Sequence, residues 1–467
     1  MSLASLVDGS FRDPAGHVHQ LNNRIFRTVT KVGAPSFKKV LETGFLNNLI
    51  ENEDLVPFEI VQEPDILAQF PGAVYVLEHP HLQYISFPYE WSFSQLKQAA
   101  LLHLDIAIKA LKADITLTDA SAYNVQFIGS KPIFIDHLSF KPYVDREYWM
   151  GHRQFCEQFL NPLLLRSKLG VAHNAWFRGN QEGISNENLS LLLPMRHKFS
   201  YKMLAHVILP AHLQRKALKQ GISEKSSISN RKGLPRSGYQ GMLSQLRNWI
   251  ASLEPKGGSI SAWGTYADEN TYADSENKQK AAFIDKFIRK TQPKLTFDLG
   301  CNSGAFSEVA LLAGTEQIIG FDFDQIALEK AFHRAKEKSL NLLPLYLDAS
   351  NPSPSQGWQQ SERPGFSQRA NPDAVLALAF EHHLAIGKNI PLPQVINWIV
   401  SLAPNGIIEF IDKNDPTIKT MLSMREDIFH NYSQKYFEDA LLQQANIIET
   451  CNVTGDGRTL YWYKRRA

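Results

Sequence analysis

The stretch Phe297-Asp298-Leu299-Gly300-Cys301-Asn302-Ser303-Gly304 decides what the C-terminal part of this chain folds into. The apolar run from Leu295 reads as a buried strand that ends in an acid. Two glycines then permit a tight turn, and AFSEVALLA, from Ala305 on, has helical spacing. This order brings backbone close to a ligand, and an acid just before the turn suits a cationic or hydroxyl-bearing partner. A dinucleotide pyrophosphate site more often carries G-x-G-x-x-G. Here three residues separate Gly300 from Gly304, which disfavours a nicotinamide-dependent dehydrogenase.

Working outward, short apolar runs bounded by turn residues recur at LTFDLG (295–300), QIIGFD (317–322), LLPLYLD (342–348), AVLALAF (374–380) and GIIEFID (406–412). Each has the look of a strand buried on both faces of a parallel sheet. Helical stretches separate them, and IIETCNV (447–453) and TLYWYKR (459–465) close the chain as two more strands. Asp322 ends the second run and Asp348 the third. Three acids at the carboxyl ends of successive strands share one rim of such a sheet, where open α/β folds bind ligands.

DLGCNSG, GFDFD and LYLDAS resemble the first three motifs of class I S-adenosylmethionine-dependent methyltransferases. The resemblance implies a Rossmann-like seven-stranded α/β sheet with S-adenosyl-L-methionine as cofactor. It implies that Asp298 and the turn Gly300, Asn302 and Gly304 hold the methionyl portion, Asp322 the ribose and Asp348 the adenine. Cys301-Asn302 departs from the glycine more usual in that turn. WGTYADENTYAD, GWQQSER (357–363), LALAFEHHLAI and IIEFIDKNDP together resemble a bacterial family of predicted methyltransferases that includes a host-specific nodulation protein. That resemblance covers about residues 262–467. Trp263, Tyr266 and Tyr272 are either a lid over the cofactor or packing for a linker.

On the acceptor side, the fourth strand runs into Glu381-His382-His383, and the fifth carries Glu409 followed by Asp412 and Asp415. His382 and His383 are candidates for a general base, and Glu409 for holding the acceptor. Methyl transfer asks mainly for alignment and removal of one proton, so these residues leave the acceptor open.

In the N-terminal half, LTDASAYNVQFIGSKPIFIDHLSF (117–140) places Asp119 five residues before Asn124 and Asp136 twelve residues after it. A hairpin through Gly129-Ser130 would bring Asn124 and Asp136 together. The pattern resembles the core of kinase-like folds, which implies a hydroxyl-orienting role for Asp119 and magnesium-ATP binding by Asn124 and Asp136. Lys31 or Arg27 would meet the phosphates, with Glu42 or Glu51 as helix partner. No glycine-rich loop accompanies them, and His137-Leu138 replaces the usual Phe-Gly.

The expected organisation is an α+β, kinase-like domain over 1–185, a helical and basic linker over 186–260, and the methyltransferase domain over 261–467. The chain has 467 residues and a formal net charge of +2, too small to argue for nucleic acid. A basic stretch from Ala211 to Gln240 reads as a solvated linker more readily than as a phosphate contact. Cys156, Cys301 and Cys451 show neither metal-ligand spacing nor a disulfide framework, which fits a reducing cytoplasm. The N-terminus lacks the pattern of a signal peptide, and no run of 18 apolar residues predicts a membrane span. Three functions stay open. The chain is a methyltransferase whose first half recruits the acceptor, a small molecule, glycan or lipid. It is a bifunctional kinase-methyltransferase acting on a glycan or lipid-linked saccharide. Or it is a binding protein with a vestigial pocket. Its oligomeric state is equally open.

Overall fold

Strands that are apolar on both faces must be covered by helices on both sides, and the C-terminal part of the chain has the helices to do it. A computed structural model describes residues 3–147, 149–219, 233–257, 274–423, 425–454 and 457–466. Trp263, Tyr266, Tyr272 and residues 220–232 of the basic stretch lie outside the described residues. Two units form. One comprises 1–127, 132–257 and 355–364; the other comprises 128–131, 258–354 and 365–467.

The first unit opens with an antiparallel sheet of β1 (Ser5–Leu6), β2 (Val18–Leu21), β3 (Arg24–Val29), β4 (Glu59–Ile60) and β5 (Tyr75–His79). Its strand order is β1-β2-β3-β5-β4. Two short helices, Ala34–Glu42 and Phe45–Glu51, lie between β3 and β4 in sequence. The long helix Phe93–Lys112 starts at a capping box in which Ser92 and Gln95 satisfy each other's backbone, and it buries a continuous apolar face. After it come β6 (Ile115–Leu117), the pair β7 (Val125–Ile128) and β8 (Lys131–Phe134), and β9 (Phe140–Pro142), which pairs with β6.

The helical region expected to be a linker is instead part of this unit. Helix Arg236–Ala251 buries Leu243, Leu246 and Ile250, an apolar stripe too wide for a solvated spacer. Arg215 pairs with Glu187, and Arg236 with Asp114. The first unit also claims Ser355–Pro364 from the midst of the span 261–467 expected to be a single domain. There Arg12 Nε donates to Glu362 at 2.9 Å, and Gln356 Nε2 donates to the Arg178 carbonyl at 2.6 Å.

The second unit is a seven-stranded sheet of β10 (Leu295–Leu299), β11 (Gln317–Asp322), β12 (Leu342–Tyr346), β13 (Ala374–Ala377), β14 (Asn405–Ile411), β15 (Ala445–Thr454) and β16 (Arg458–Arg465). The order is β12-β11-β10-β13-β14-β16-β15. The first five strands are parallel, and β16 inserts antiparallel between β14 and β15. Counted within the unit, this is 3-2-1-4-5-7-6, the Rossmann-like sheet of class I methyltransferases. The order reverses between β10 and β13, so a crevice opens at their carboxyl ends.

Candidate active site

The turn after β10 is held by backbone hydrogen bonds together with the Asp322 and Arg334 side chains, which close on the Asn302 N–H and the Ser303 carbonyl. Gly300 and Cys301 both donate to the Phe321 carbonyl, at 2.8 and 3.0 Å, and Gly304 closes on the Cys301 carbonyl at 2.8 Å. Gly300 and Gly304 each have φ +74°, which glycine adopts without strain. A Cβ on Gly304 would also come within 2.9 Å of Leu342. Gly304 therefore starts the helix Ala305–Ala313 and does not itself face the ligand crevice.

That crevice is a cavity of about 1180 Å³ lined by Asp298, Gly300, Asn302, Asp322, Asp348, His382 and His383 among others. Five of the six expected cofactor residues thus share one wall system with both expected histidines. Glu409 is the exception on the acceptor side. It is fully buried behind the lining and paired with Lys280, whose Nζ lies 2.6 Å from Oε1 and 2.8 Å from Oε2. Glu409 Oε2 also accepts the Ala379 N–H at 2.9 Å. Ala379 has φ 47°, a left-handed conformation that costs a residue bearing a Cβ and that this hydrogen bond holds in place. Glu409 therefore shapes the end of β13 and lies behind the cavity lining, not at the acceptor rim.

Asp298 is buried, and Ser307 Oγ donates to its Oδ2 at 2.5 Å. Burial pushes its carboxyl up to about 7, with Ser307 working against the rise and the neighbouring Asp322 adding to it. Asp322 accepts the Asn302 and Asp324 N–H groups, each at 2.9 Å. Burial still lifts it to about 6. Asp348 takes the Ser350 N–H at 3.0 Å on Oδ1. No ion pair among the described residues involves any of the three acids.

Burial holds both histidines neutral: His382 falls well below the ordinary imidazole range and His383 to about 4. Two buried atoms of lining residues, Asn302 Oδ1 and His382 Nδ1, have no partner among the described residues. Behind the rim, burial drives Glu381 up to about 8, while the Tyr432 hydroxyl donates to its Oε1 at 2.7 Å. Lys280 and Phe306, both in the lining, were not singled out from the sequence. Lys280 precedes the first motif, on helix Asp274–Thr291, and meets Glu409 129 residues later, so no local spacing announces it.

The acids of the first unit are arranged otherwise. Asn124 Nδ2 donates to Asp119 Oδ2 at 2.9 Å and lies 3.4 Å from Asp136 Oδ2. Arg27, on β3, reaches Asp136 Oδ1 at 2.8 Å and Asp13 at 2.9 Å. Ser139 also donates to Asp136. Lys31, Glu42 and Glu51 are exposed and take no part in this network. A magnesium ion at Asn124 and Asp136 would have to share Asp136 with a guanidinium, so these residues do not fit the metal as arranged.

No family model matches the chain. Among curated proteins it is 48% identical over 460 residues to nodulation protein NoeA of Rhizobium meliloti (strain 1021), covering 98% of this chain and 96% of that one. The chain belongs to the NoeA family. Among solved structures, the PH0226 protein from Pyrococcus horikoshii OT3 is 17% identical, covers 43% of this chain and 96% of its own, and gives a TM-score of 0.32. N-methyltransferase NodS from Bradyrhizobium japonicum WM9, in complex with S-adenosyl-L-homocysteine, is 12% identical, covers 44% and 98%, and gives 0.33. Near-complete overlap with NoeA means that both units belong to this family.

Proposed function

We propose that this NoeA-family chain is an S-adenosylmethionine-dependent methyltransferase whose cofactor site is the cavity at the carboxyl ends of β10, β11 and β12. One observation carries the reading: three carboxylates and a glycine turn converge on one cavity, and no ion pair among the described residues involves any of the three acids. Asp298 would meet the ammonium of the methionyl portion, Asp322 the ribose hydroxyls and Asp348 the adenine amino group. The cofactor supplies a methyl group on an already activated sulfonium. The volume exceeds the roughly 300–1,000 Å³ of ordinary ligand pockets, which supports room for an acceptor beside the cofactor.

His382 and His383 stand on the acceptor side as neutral imidazoles, the state in which a ring nitrogen can take a proton. Lys280 and Glu409 position the Ala379 backbone and do not touch the acceptor in this reading. A small molecule, glycan or lipid suits the acceptor better than nucleic acid, because a net charge of +2 provides no field for a polyanion.

Calorimetric titration with S-adenosylmethionine and S-adenosylhomocysteine tests the site. The expected result is micromolar binding that Asp298→Ala and Asp322→Ala each weaken on the order of a hundredfold; no binding by the intact chain sinks the reading. For the first unit, the Arg27–Asp136 pair supports a kinase-like module that binds the acceptor or a partner without phosphoryl transfer. Neither ATP nor Mg²⁺ should then raise its unfolding temperature, and clear protection by the two together would restore the bifunctional reading.

A further inference from the structure

Helix His152–Phe155 passes without a break into a π-helical turn, Cys156–Leu160. His152 and Cys156 are four residues apart and so share one face. A second π turn, Leu204–Ile208, carries His206. Single π turns inside α-helices recur at functional sites because the extra residue re-aims side chains. Here two of them bring three donor atoms together. His152 Nε2 lies 3.0 Å from His206 Nδ1, Cys156 Sγ lies 3.8 Å from His152 Nε2, and all three atoms fall within 4.8 Å of one another.

We propose that His152, Cys156 and His206 form a zinc site in the first unit. Zn–N bonds of about 2.0–2.1 Å and Zn–S bonds of about 2.3 Å give a tetrahedral site edges of about 3.3 Å between nitrogens and about 3.6 Å from nitrogen to sulfur. The observed 3.0 and 3.8 Å bracket those edges closely. One thiolate and two imidazoles, with no carboxylate in the set, select a borderline-soft transition ion over calcium or magnesium.

Gln245 holds one of the two rings in the orientation a metal would need. Gln245 Oε1 sits 3.4 Å from His206 Nε2, so that nitrogen carries the proton and Nδ1 offers its lone pair inward. His152 Nε2–H donates to that lone pair in the metal-free chain. On binding, zinc replaces this proton, which returns to the ring at Nδ1, and the Cys156 thiol releases its own to solvent. The rings of Trp149 and Trp249 flank the two histidines, with centroids 5.6 and 6.2 Å away. Cys156 and His206 are buried. Three protein ligands leave a fourth position for water. A hydrogen-bonded histidine pair in an apolar core would explain the 3.0 Å contact, but it assigns nothing to Cys156.

The full-length chain, stripped with a chelator and incubated with Zn²⁺ alone, should retain about one equivalent through gel filtration. With Co²⁺ it should show tetrahedral visible bands and a near-ultraviolet thiolate-to-cobalt band. Cys156→Ser should lose the near-ultraviolet band, and His206→Gln should lose metal retention. Gln245→Ala keeps all three ligands and should bind about 10–100-fold more weakly, which guards against a ligand variant that merely misfolds. No retained metal in the intact chain, or an unchanged near-ultraviolet band in Cys156→Ser, overturns the site.

Discussion

The two acid clusters singled out from the sequence, one in each unit, are held in opposite ways. In the first, Asp136 is closed: Arg27, Ser139 and Asn124 occupy its oxygens, and Asp119 is tied to Asn124. In the second, the Ser307 hydroxyl donates to Asp298, backbone N–H groups donate to Asp322, and no ion pair among the described residues involves either acid. A buried carboxylate without a cation keeps a desolvation cost that a positively charged or hydroxyl-rich ligand can relieve. A paired one has little left to offer. The contrast separates a site that is ready for a ligand from one that has become part of the framework.

The sharpest way to break the contrast is to open a closed pair inside the second unit. Lys280→Met leaves Glu409 buried and uncompensated, and should destabilise the chain by about 3–5 kcal/mol. The double variant Lys280→Met/Glu409→Leu should recover most of that loss, because apolar replacement of a buried pair is often close to neutral. Urea unfolding measures both; equal losses in the single and double variants would mean that packing, not charge, is at stake. Next in size, Asp298→Ala should weaken binding of S-adenosylmethionine by about 3 kcal/mol, on the order of a hundredfold. The free chain should lose little stability, since the acid it loses is in no ion pair among the described residues and its desolvation cost goes with it. Opening the first unit should do the reverse: Arg27→Met should cost about 2 kcal/mol by stranding Asp136, with cofactor affinity unchanged. A loss of affinity there would contradict the framework role of that cluster.

The parts legible in the sequence were those fixed by local rules. The seven strands of the second unit fall on the expected runs: the parallel strands because they are buried on both faces and are nearly all apolar, while the edge strand β15 is half-exposed and carries polar residues. Asn124 and Asp136 could be paired in advance because a hairpin joins them. Glu409 could not be read correctly: its place on the fifth strand suggested the acceptor rim, while its actual partner lies on a helix ahead of the first motif. The span 186–260 read as a helical and basic linker, yet the apolar stripe of Arg236–Ala251 anchors its described part to the first unit. The cysteines showed no metal-ligand spacing for the same reason. His152 and Cys156 share a helix turn, but His206 stands 54 residues from His152 and only the fold closes that gap.

The smallest predicted effect tests whether Asp298 and Asp322 are held open. Asp298 is raised from 3.8 to about 7 and Asp322 from 3.8 to about 6 in the folded chain. Between about pH 4 and pH 7 the folded state therefore binds protons that the unfolded state has already lost. Stability of the free chain should fall as pH rises through that window. Cofactor binding should run the other way, because the ammonium it brings favours ionised Asp298. Affinity should level off above pH 7 and fall about tenfold per unit below it, more steeply under pH 6 where Asp322 takes up its own proton. Asp322→Asn removes the neighbour that helps raise Asp298, so it should move the bend to lower pH as well as weaken binding. Asp298→Asn should flatten the upper part of the profile. A calorimetric series from pH 5.5 to 8 that stays flat in the intact chain would mean the acids are neutralised by something other than the ligand, and the contrast between the two units would fail.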